Sequence, residues 1–310
     1  MNVTVHASDA SGRGEGAIVN RKSSIEKVGS DIPFFVTFIA LSAAYILLIV
    51  AMLVADARFT AWGDVARVFR SPEIRYSFTL SMVSCTLSAI LSVFIAVPIG
   101  YLLSRFNFHG KNFIDGVLDI PIVLPPLVIG LSLLILFQTP PGKGLEAIFV
   151  QFINWFHIND LLGLIGVKPI RGITYELPSV ILAQFTVACA FAVRTMRVAF
   201  DQIDERYERV ALTLGCRRVQ AFHHVVLPEA VPGIVTAATL AWARSLGEFG
   251  PILVFSGATR LKTEVLPTTV FLELSIGDIE AAVAVSMVMV MVAFVVLGIT
   301  RAFGLREGFF

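Results

Sequence analysis

Residues 201–228 read DQIDERYERVALTLGCRRVQAFHHVVLP, and the first half of this stretch has the pattern of an amphipathic helix. Its apolar residues, at 203, 207, 210, 211 and 214, share one helical face, and the opposite face is charged. Gly215 follows as a natural left-handed stop for that helix. A second short run, 217–226, ends at Leu227-Pro228, where proline can open the next helix in its first turn. The stretch therefore predicts a compact helical pair, here called the knob (residues 201–228), followed directly by another helix.

The composition of the whole chain indicates a membrane protein. Of 310 residues, 56% are apolar and only 15% are charged, whereas about 25% are charged in a typical soluble protein. This composition nearly excludes a water-soluble enzyme, and it also excludes collagen-like, disulfide-framework and disordered chains. Lys plus Arg total 24 against 23 for Asp plus Glu, and this near balance argues against a nucleic-acid binder.

Six apolar runs are long enough to cross a bilayer, whose hydrocarbon core of about 30 Å takes about 20 helical residues. In chain order they are 33–55, 77–103, 116–137, 178–200, 230–255 and 280–303. The first run is longer than a secretory signal segment, so we interpret it as an uncleaved anchor. We therefore predict an all-α membrane protein. It has a disordered tail over 1–32, a first transmembrane helix over 33–55, and a transmembrane domain over 74–303 that includes the knob.

The distribution of basic residues predicts the orientation. Fourteen of the 24 Lys and Arg residues fall in the segments that share a side with the N-terminus and the knob, and nine fall on the other side. Because basic residues are enriched in cytoplasmic loops, we expect both termini and the knob to be cytoplasmic. The outer segment 139–176 carries an apolar residue every three or four positions, which predicts a helix on the outer membrane surface. Those residues are Leu145, Ile148, Phe149, Phe152, Trp155 and Phe156.

Periodicity alone allows two interpretations of the knob: it docks in a partner protein, or it lies at the lipid headgroups. A resemblance to a known family distinguishes between them. The stretch resembles the EAA loop of bacterial ABC importer permeases: Glu-Ala-Ala, three residues, Gly, nine residues, an aliphatic, one residue, then Leu-Pro. Gly215, Val225 and Leu227-Pro228 meet that spacing, and the Ala-Ala positions fall on Val210 and Ala211. The Glu position falls on Arg209, with Glu208 one residue earlier. The resemblance implies a coupling loop that contacts an ATPase, and it leaves open which side chain makes the polar contact.

Three further segments resemble the molybdate, tungstate and sulfate permeases of this group. They are the Pro-Pro segment 120–130 with Pro125 and Pro126, the signature 244–250 (RSLGEFG), and the outer loop 263–267 (TEVLP). Ala190 departs from the pattern, since relatives often carry proline there. The resemblance implies a type I importer of the bacterial inner membrane. Such an importer combines two permease subunits, two cytoplasmic ATPases and an external solute-binding protein.

The prolines and the charged turn each leave two interpretations open. Pro121, Pro125 and Pro126 disrupt a membrane helix, so they indicate either a bent helix that lines a pathway or a kink that only packs. Arg244 and Glu248 are one helical turn apart and can form an ion pair. Because a lone charge inside a bilayer is costly, both should face protein or water. They form either a gate or a structural pair, and Gly247, Phe249 and Gly250 complete the same candidate region.

Other chemistry is not supported by the sequence. His223 and His224 are adjacent and point to different helical faces, so they make a poor metal pair, and no HExxH or GxxxxGK[ST] pattern is present. The three cysteines read as packing residues. Neither the paired aspartates of a membrane hydrolase nor the inverted repeats of an ATP-independent carrier are found. We expect no cofactor, no metal and no catalytic residue in this chain.

The sequence-based hypothesis is therefore a permease subunit that carries an oxyanion, molybdate or tungstate first. Sulfate or another small solute, such as ferric ion, is the alternative. The expected partners are cytoplasmic ATPases, an external binding protein and a second permease copy, a homodimer being favoured over a pair of different permeases.

Overall fold

A computed structural model describes residues 32–59, 70–155, 157, 159 and 169–304, and the regular elements found there are helices. The predicted tail lies outside these residues, apart from residue 32. In chain order the helices are α1 (Ile32–Phe59), α2 (Pro72–Arg105), α3 (Lys111–Val123), α4 (Pro126–Gln138), α5 (Pro140–Trp155), α6 (Leu177–Gln202), α7 (Glu205–Thr213), α8 (Arg218–Ala221), a π-helix (Phe222–Val226), α9 (Leu227–Glu229), α10 (Val231–Leu246), α11 (Gly250–Phe255), α12 (Leu266–Ile276) and α13 (Ile279–Gly304).

The chain divides into two compact units, residues 1–54 and 55–310. The first is represented by α1, which is apolar over Phe34–Phe59. Its length and composition suit a membrane span, and it covers the first predicted span, whose crossing of the membrane stays a prediction. In the second unit, α2 begins at Pro72, with Ser71 as the N-cap residue.

Three long helices, α2, α6 and α10, form the core of the second unit. Their contact faces are built from small residues that are almost completely buried, which lets the backbones approach closely. These are Ala96, Ala188, Ala192, Ala237 and Ala241. Serines form a buried face of α2, and the hydroxyl of Ser88 donates a 3.0 Å hydrogen bond to the Ile181 carbonyl of α6. Small and hydroxylated contact residues are typical of helix packing within a membrane.

Two of the six predicted spans are broken rather than continuous. Within the described residues, four helices are long and apolar enough to cross a membrane, and the number rises to six when each bent pair is counted as one span. Helices α3 and α4 form one such pair, bent by 112°, and the helical segment Arg218–Glu229 forms the other with α10, bent by 68°. This second bend lies at the start of the predicted span 230–255. The prediction of a single helix over 230–255 is wrong, because α10 ends at Leu246 and α11 begins at Gly250.

The outer segments contain more helix than the sequence predicted. The region before the last span, expected as a loop, holds α12. The predicted outer helix is confirmed as α5 up to Trp155, whereas Phe156 lies outside the described residues, and the position of α5 on the membrane surface stays a prediction. Glu146 of α5 accepts hydrogen bonds from the backbone N–H groups of Ile173 (2.6 Å) and Thr174 (3.3 Å). These bonds tie α5 to the segment that leads into α6.

Candidate functional site

The break between α3 and α4 lies at Leu124-Pro125. Both residues are extended, with ψ of 140° and 134°. Pro125 and Pro126 lack the backbone N–H that a continuous helix needs, and a residue before proline is driven out of the helical region. Pro121, in contrast, lies inside α3. The prediction of a bend at this segment is thus confirmed, and the bend belongs to the Pro-Pro pair.

The break between α10 and α11 lies at Gly247-Glu248-Phe249. Gly247 is the C-cap of α10, and the Glu248 N–H bonds the Ser245 carbonyl at 3.2 Å, closing a tight turn. Helix α11 begins at Gly250, with a proline at its second position. The ring of Phe249 contacts Phe271 of α12, at 5.3 Å between centroids.

These two breaks, here called the paired breaks (124–126 and 247–250), lie against each other. A Cβ atom added to Gly250 would be 2.9 Å from the Pro126 Cβ, and one added to Gly130 would be 2.7 Å from the Pro251 Cα. Each broken span therefore places a glycine against a proline of the other, at distances that exclude a side chain. Two segments far apart in sequence form one candidate site.

Arg244 and Glu248 stand beside the paired breaks and are in contact, as predicted. Arg244 Nη1 is 2.5 Å from Glu248 Oε2. The Glu248 carboxylate is buried, with 1% of its side chain exposed, whereas 29% of the Arg244 side chain is exposed. The guanidinium also lies 5.7 Å from the ring centroid of Phe191 on α6, within the range of a cation–π contact.

The face of α10 next to Arg244 is uncovered in this single chain. Its exposed residues follow one another at helical spacing and are mostly small: Thr236, Leu240, Ala243 and Gly247. The exposed face of α4, in contrast, carries large aliphatic residues, among them Leu127, Leu131 and Ile135. A lipid-facing helix is typically large and apolar, whereas small residues suit close helix contact. The exposed face of α10 is therefore suited to contact with another helix, whereas the exposed face of α4 is suited to lipid.

The knob has the predicted form. Asp204 caps α7 by accepting the Arg206 N–H at 2.9 Å, and the helix ends before Gly215, whose φ is +95°. The Cys216 N–H then bonds the Ala211 carbonyl at 3.1 Å, as in a glycine-terminated helix. The second half contains a π-helix, Phe222–Val226, which the sequence did not predict.

Glu208 points into the protein, and Arg209 points out. The Tyr101 hydroxyl of α2 donates a 2.6 Å hydrogen bond to Glu208 Oε1, and Arg105 Nε is 3.6 Å from the other carboxylate oxygen. Arg105 also donates a 2.8 Å hydrogen bond to the Ile203 carbonyl, and 7% of its side chain is exposed. Glu208 thus fastens the knob to α2. Sequence reasoning missed Tyr101 and Arg105, which only tertiary structure brings to the knob.

Some of the other candidate residues of the knob are buried, and others are exposed to solvent. Ala211 is buried, Leu227 is half-buried, and Arg209, Gly215 and Pro228 are exposed. The Phe222 ring packs on Tyr101 with centroids 4.8 Å apart, which adds an aromatic contact to the polar one. The outer surface of the knob carries large apolar side chains that are more than half exposed: Tyr207, Val210, Leu214 and Val219.

Ion pairs join α3 to the end of α6 that leads into the knob. Arg197 Nη1 is 2.5 Å from Asp115, and Arg194 pairs with Asp119. The acidic residues are four apart on α3 and the basic ones three apart on α6, so each pair shares a helical face. Asp119 lies within the third predicted span. Its charge is compensated by Arg194.

The outer motif 263–267 is an interior element. Thr263, Glu264, Val265 and Leu266 are all fully buried. The Leu266 N–H donates a 2.8 Å hydrogen bond to Ser81 of α2. Burial raises the pKa of Glu264, and the charge of Arg260 opposes this only in part.

The fold agrees with the relationships of the sequence. Residues 96–306 match the family described as binding-protein-dependent transport system inner membrane component. The chain belongs to this family. It is a multi-pass inner membrane permease of an ABC importer, which works with a substrate-binding protein, and ATP hydrolysis belongs to separate ATPase subunits.

Several related permeases match most of the chain. The molybdenum transport system permease protein ModB of Mycobacterium tuberculosis is 32% identical over 87% of this chain and 94% of its own. The sulfate transport system permease protein CysT of Salmonella typhimurium is 27% identical over 86% and 91%. The molybdate/tungstate transport system permease protein WtpB of Pyrococcus abyssi is 28% identical over 71% and 73%.

Solved structures show the same fold. A bacterial alginate ABC transporter in complex with an alginate pentasaccharide-bound periplasmic protein matches with a TM-score of 0.67. Its chain is 15% identical, and the match covers 89% of this chain and 95% of that one. The MetNI methionine ABC transporter in an inward-facing conformation matches with a TM-score of 0.51 at 17% identity, covering 76% and 97%.

Proposed function

We propose that this chain, paired with a second copy of itself, forms the translocation pathway of an ABC importer for an oxyanion, molybdate or tungstate first. The observation that carries the proposal is the meeting of the paired breaks next to Arg244. Broken helices within a membrane are tolerated where they line a cavity or are buried in protein, and they are typical of substrate sites in transporters. The proposed pathway or gate residues are Pro125, Pro126, Arg244, Gly247, Glu248, Phe249 and Gly250.

The charge distribution supports a small dianion as substrate. Glu248 is paired with Arg244, and Asp115 and Asp119 are paired with Arg197 and Arg194. A route without net negative charge admits an anion, and a route without net positive charge does not trap it. The molybdenum and molybdate/tungstate relatives support the same substrate class.

Sulfate is the second candidate, because the Salmonella relative is a sulfate permease and covers the chain to the same extent. Molybdate, tungstate and sulfate are all tetrahedral dianions, so the charges of this chain do not separate them. We propose that the binding protein selects among them and that the permease selects the class.

The knob is proposed as the contact with the ATPase. Its exposed apolar residues form a hydrophobic patch of the kind that docks in a groove on a partner. Because Glu208 is engaged by Tyr101 and Arg105, Arg209 is the better candidate for the polar contact. With the knob in contact with a cytoplasmic ATPase, both termini are cytoplasmic.

A stimulation experiment tests the proposal. The chain is purified with its ATPase in nanodiscs, and ATP hydrolysis is measured with the binding protein loaded in turn with molybdate, tungstate and sulfate. We expect loaded binding protein to raise hydrolysis above the empty protein, and the purified complex to contain two copies of this chain. Stimulation by none of the three loaded forms, in a complex that hydrolyses ATP, would refute the oxyanion assignment.

A further inference from the structure

Apart from the contact of Nη1 with Glu248, the donors of Arg244 have no acceptor among the described residues. A guanidinium has five N–H donors in a planar fork. Its contact with Glu248 is close but lacks the alignment of a hydrogen bond, and its other neighbour is the ring of Phe191. Among the residues that the structure describes, no acceptor takes a hydrogen bond from this fork. An arginine fork matches two oxygens of a tetrahedral oxyanion, as it does those of phosphate or carboxylate.

The position of Arg244 makes the fork reachable. Its side chain is 29% exposed and lies at the edge of the small-residue face of α10, whose exposed members include Ala243 and Gly247. Since a charged group on a lipid-facing surface is costly, the exposed part of the guanidinium belongs toward protein or water. Gly247 is also the first residue of the break between α10 and α11. The unpaired N–H donors of Arg244 therefore lie beside the paired breaks.

Glu248 limits how tightly Arg244 can bind an anion. Its carboxylate is almost completely buried and 2.5 Å from Arg244, so the pair carries no net charge while the arginine donors stay available. An uncompensated arginine in a dry site would hold a dianion tightly, because charges interact strongly at low dielectric. A compensated arginine offers directional hydrogen bonds without that excess attraction. Such a contact suits an anion that must bind and leave within one transport cycle.

We propose that Arg244 contacts the oxyanion directly during translocation and selects tetrahedral dianions, and that Glu248 is a positioning residue that holds the guanidinium and keeps the contact weak. This inference rests on the proposed function. It adds a selecting contact inside the permease to the selection made by the external binding protein.

The test uses the complete importer, with this chain, its ATPase and its binding protein in proteoliposomes and radiolabelled molybdate and sulfate as probes. The central variant is the neutral pair Arg244→Gln/Glu248→Gln, which removes both charges and leaves no buried ion without a partner. We expect stimulated ATP hydrolysis within about twofold of wild type, as for a substitution with little effect on folding. We expect uptake to fall at least about tenfold, since the variant loses a charge-assisted contact with the moving anion.

A matched control separates the loss of this contact from the loss of any ion pair. Arg260 Nη2 and Glu273 Oε1 form a similar pair at 2.8 Å, and neither residue belongs to the paired breaks. The control variant Arg260→Gln/Glu273→Gln should keep both ATP hydrolysis and uptake. Arg244→Lys retains the charge but loses the fork, so it should transport at an intermediate rate.

The outcomes separate the inference from the function on which it rests. Wild type that takes up neither probe contradicts the proposed function. Wild-type uptake that is unchanged in the neutral pair overturns the inference alone and makes Arg244–Glu248 a structural pair. If the neutral pair does not fold, Arg244→Lys decides: a reduced rate with intact ATP hydrolysis supports direct contact, and a wild-type rate overturns it.

Discussion

The hydroxyl of Tyr101, near the end of α2, donates a 2.6 Å hydrogen bond to Glu208 in the first helix of the knob. Arg105, one turn further along α2, approaches the same carboxylate. A core helix of the membrane domain is thus attached directly to the element proposed to contact the ATPase. A change in the position of the knob would be transmitted to α2, which packs on α6 and α10.

Glu208→Gln should loosen this attachment. The change leaves the buried Arg105 without its nearest anionic partner, and breaking a buried ion pair costs about 3–5 kcal/mol. We expect a lower unfolding temperature in detergent and weaker coupling of ATP hydrolysis to uptake. The matched control is Glu205→Gln, whose carboxylate is 3.9 Å from Arg105 and half exposed, so it should cost less than about 1 kcal/mol. Equal effects of the two substitutions would show that Glu208 is not an anchor.

Gly215→Val should weaken association with the ATPase while the membrane domain stays folded. Gly215 has a φ of +95° and nothing within 4 Å of an added Cβ, so backbone strain is the main cost. A side chain in this region costs about 1–2 kcal/mol, and more for a β-branched residue. The measurement is the yield of ATPase that co-purifies with the permease.

Gly277→Val is the control for this strain. Gly277 has a φ of +85° and also nothing within 4 Å of an added Cβ, but it joins α12 to α13 rather than lying in the knob. This variant should carry a similar strain and retain the ATPase. Wild-type recovery of the ATPase with Gly215→Val would contradict the role assigned to the knob.

Gly130→Ala should disturb the paired breaks, because the new Cβ would be 2.7 Å from the Pro251 Cα. Overpacking of this kind costs about 1–3 kcal/mol, and we expect uptake to fall. Gly144→Ala in α5 is the control, with nothing within 4 Å of its Cβ, and it should be neutral or slightly stabilising. Uptake unaffected by Gly130→Ala would mean that the close contact has no part in transport.

Glu264 should make the stability of the protein depend on pH. Because folding raises the pKa of this buried carboxyl, the folded state binds the proton more tightly than the unfolded chain does. The stabilisation is fully present below the unfolded pKa of about 4.3 and is lost as pH rises through the higher, folded pKa. Glu264→Gln should flatten the fall in unfolding temperature between mildly acidic and mildly basic pH. A parallel fall in both proteins would contradict the assignment.

Local sequence signals predicted the helices of the knob and the all-helical membrane fold. The amphipathic period over 203–214, Gly215 and Leu227-Pro228 act through backbone geometry and short-range packing, so they can be read without tertiary contacts. The pairing of Arg244 with Glu248 was predictable for the same reason, since one helical turn separates them. The Pro-Pro bend followed from the missing N–H groups.

Contacts between distant segments could not be predicted in this way. The run over 230–255 is apolar enough to predict one span, and Gly247 and Gly250-Pro251 are local helix-breaking signals that this prediction did not use. The break at 247–249 becomes evident where Gly250 packs against Pro126. The inward orientation of Glu208 likewise depends on Tyr101, more than a hundred residues earlier. The interior position of 263–267 depends on its contact with α2 at Ser81.

Competitive uptake into proteoliposomes tests the central claim most directly. The permease is reconstituted with its ATPase and cognate binding protein, ATP is supplied on the ATPase side, and labelled molybdate is offered with unlabelled tungstate, sulfate, ferric ion or a sugar. The account predicts ATP-dependent uptake that tungstate, and to a lesser extent sulfate, inhibits. Absence of ATP-dependent molybdate uptake, or inhibition of that uptake by ferric ion or a sugar and by neither tungstate nor sulfate, would contradict it.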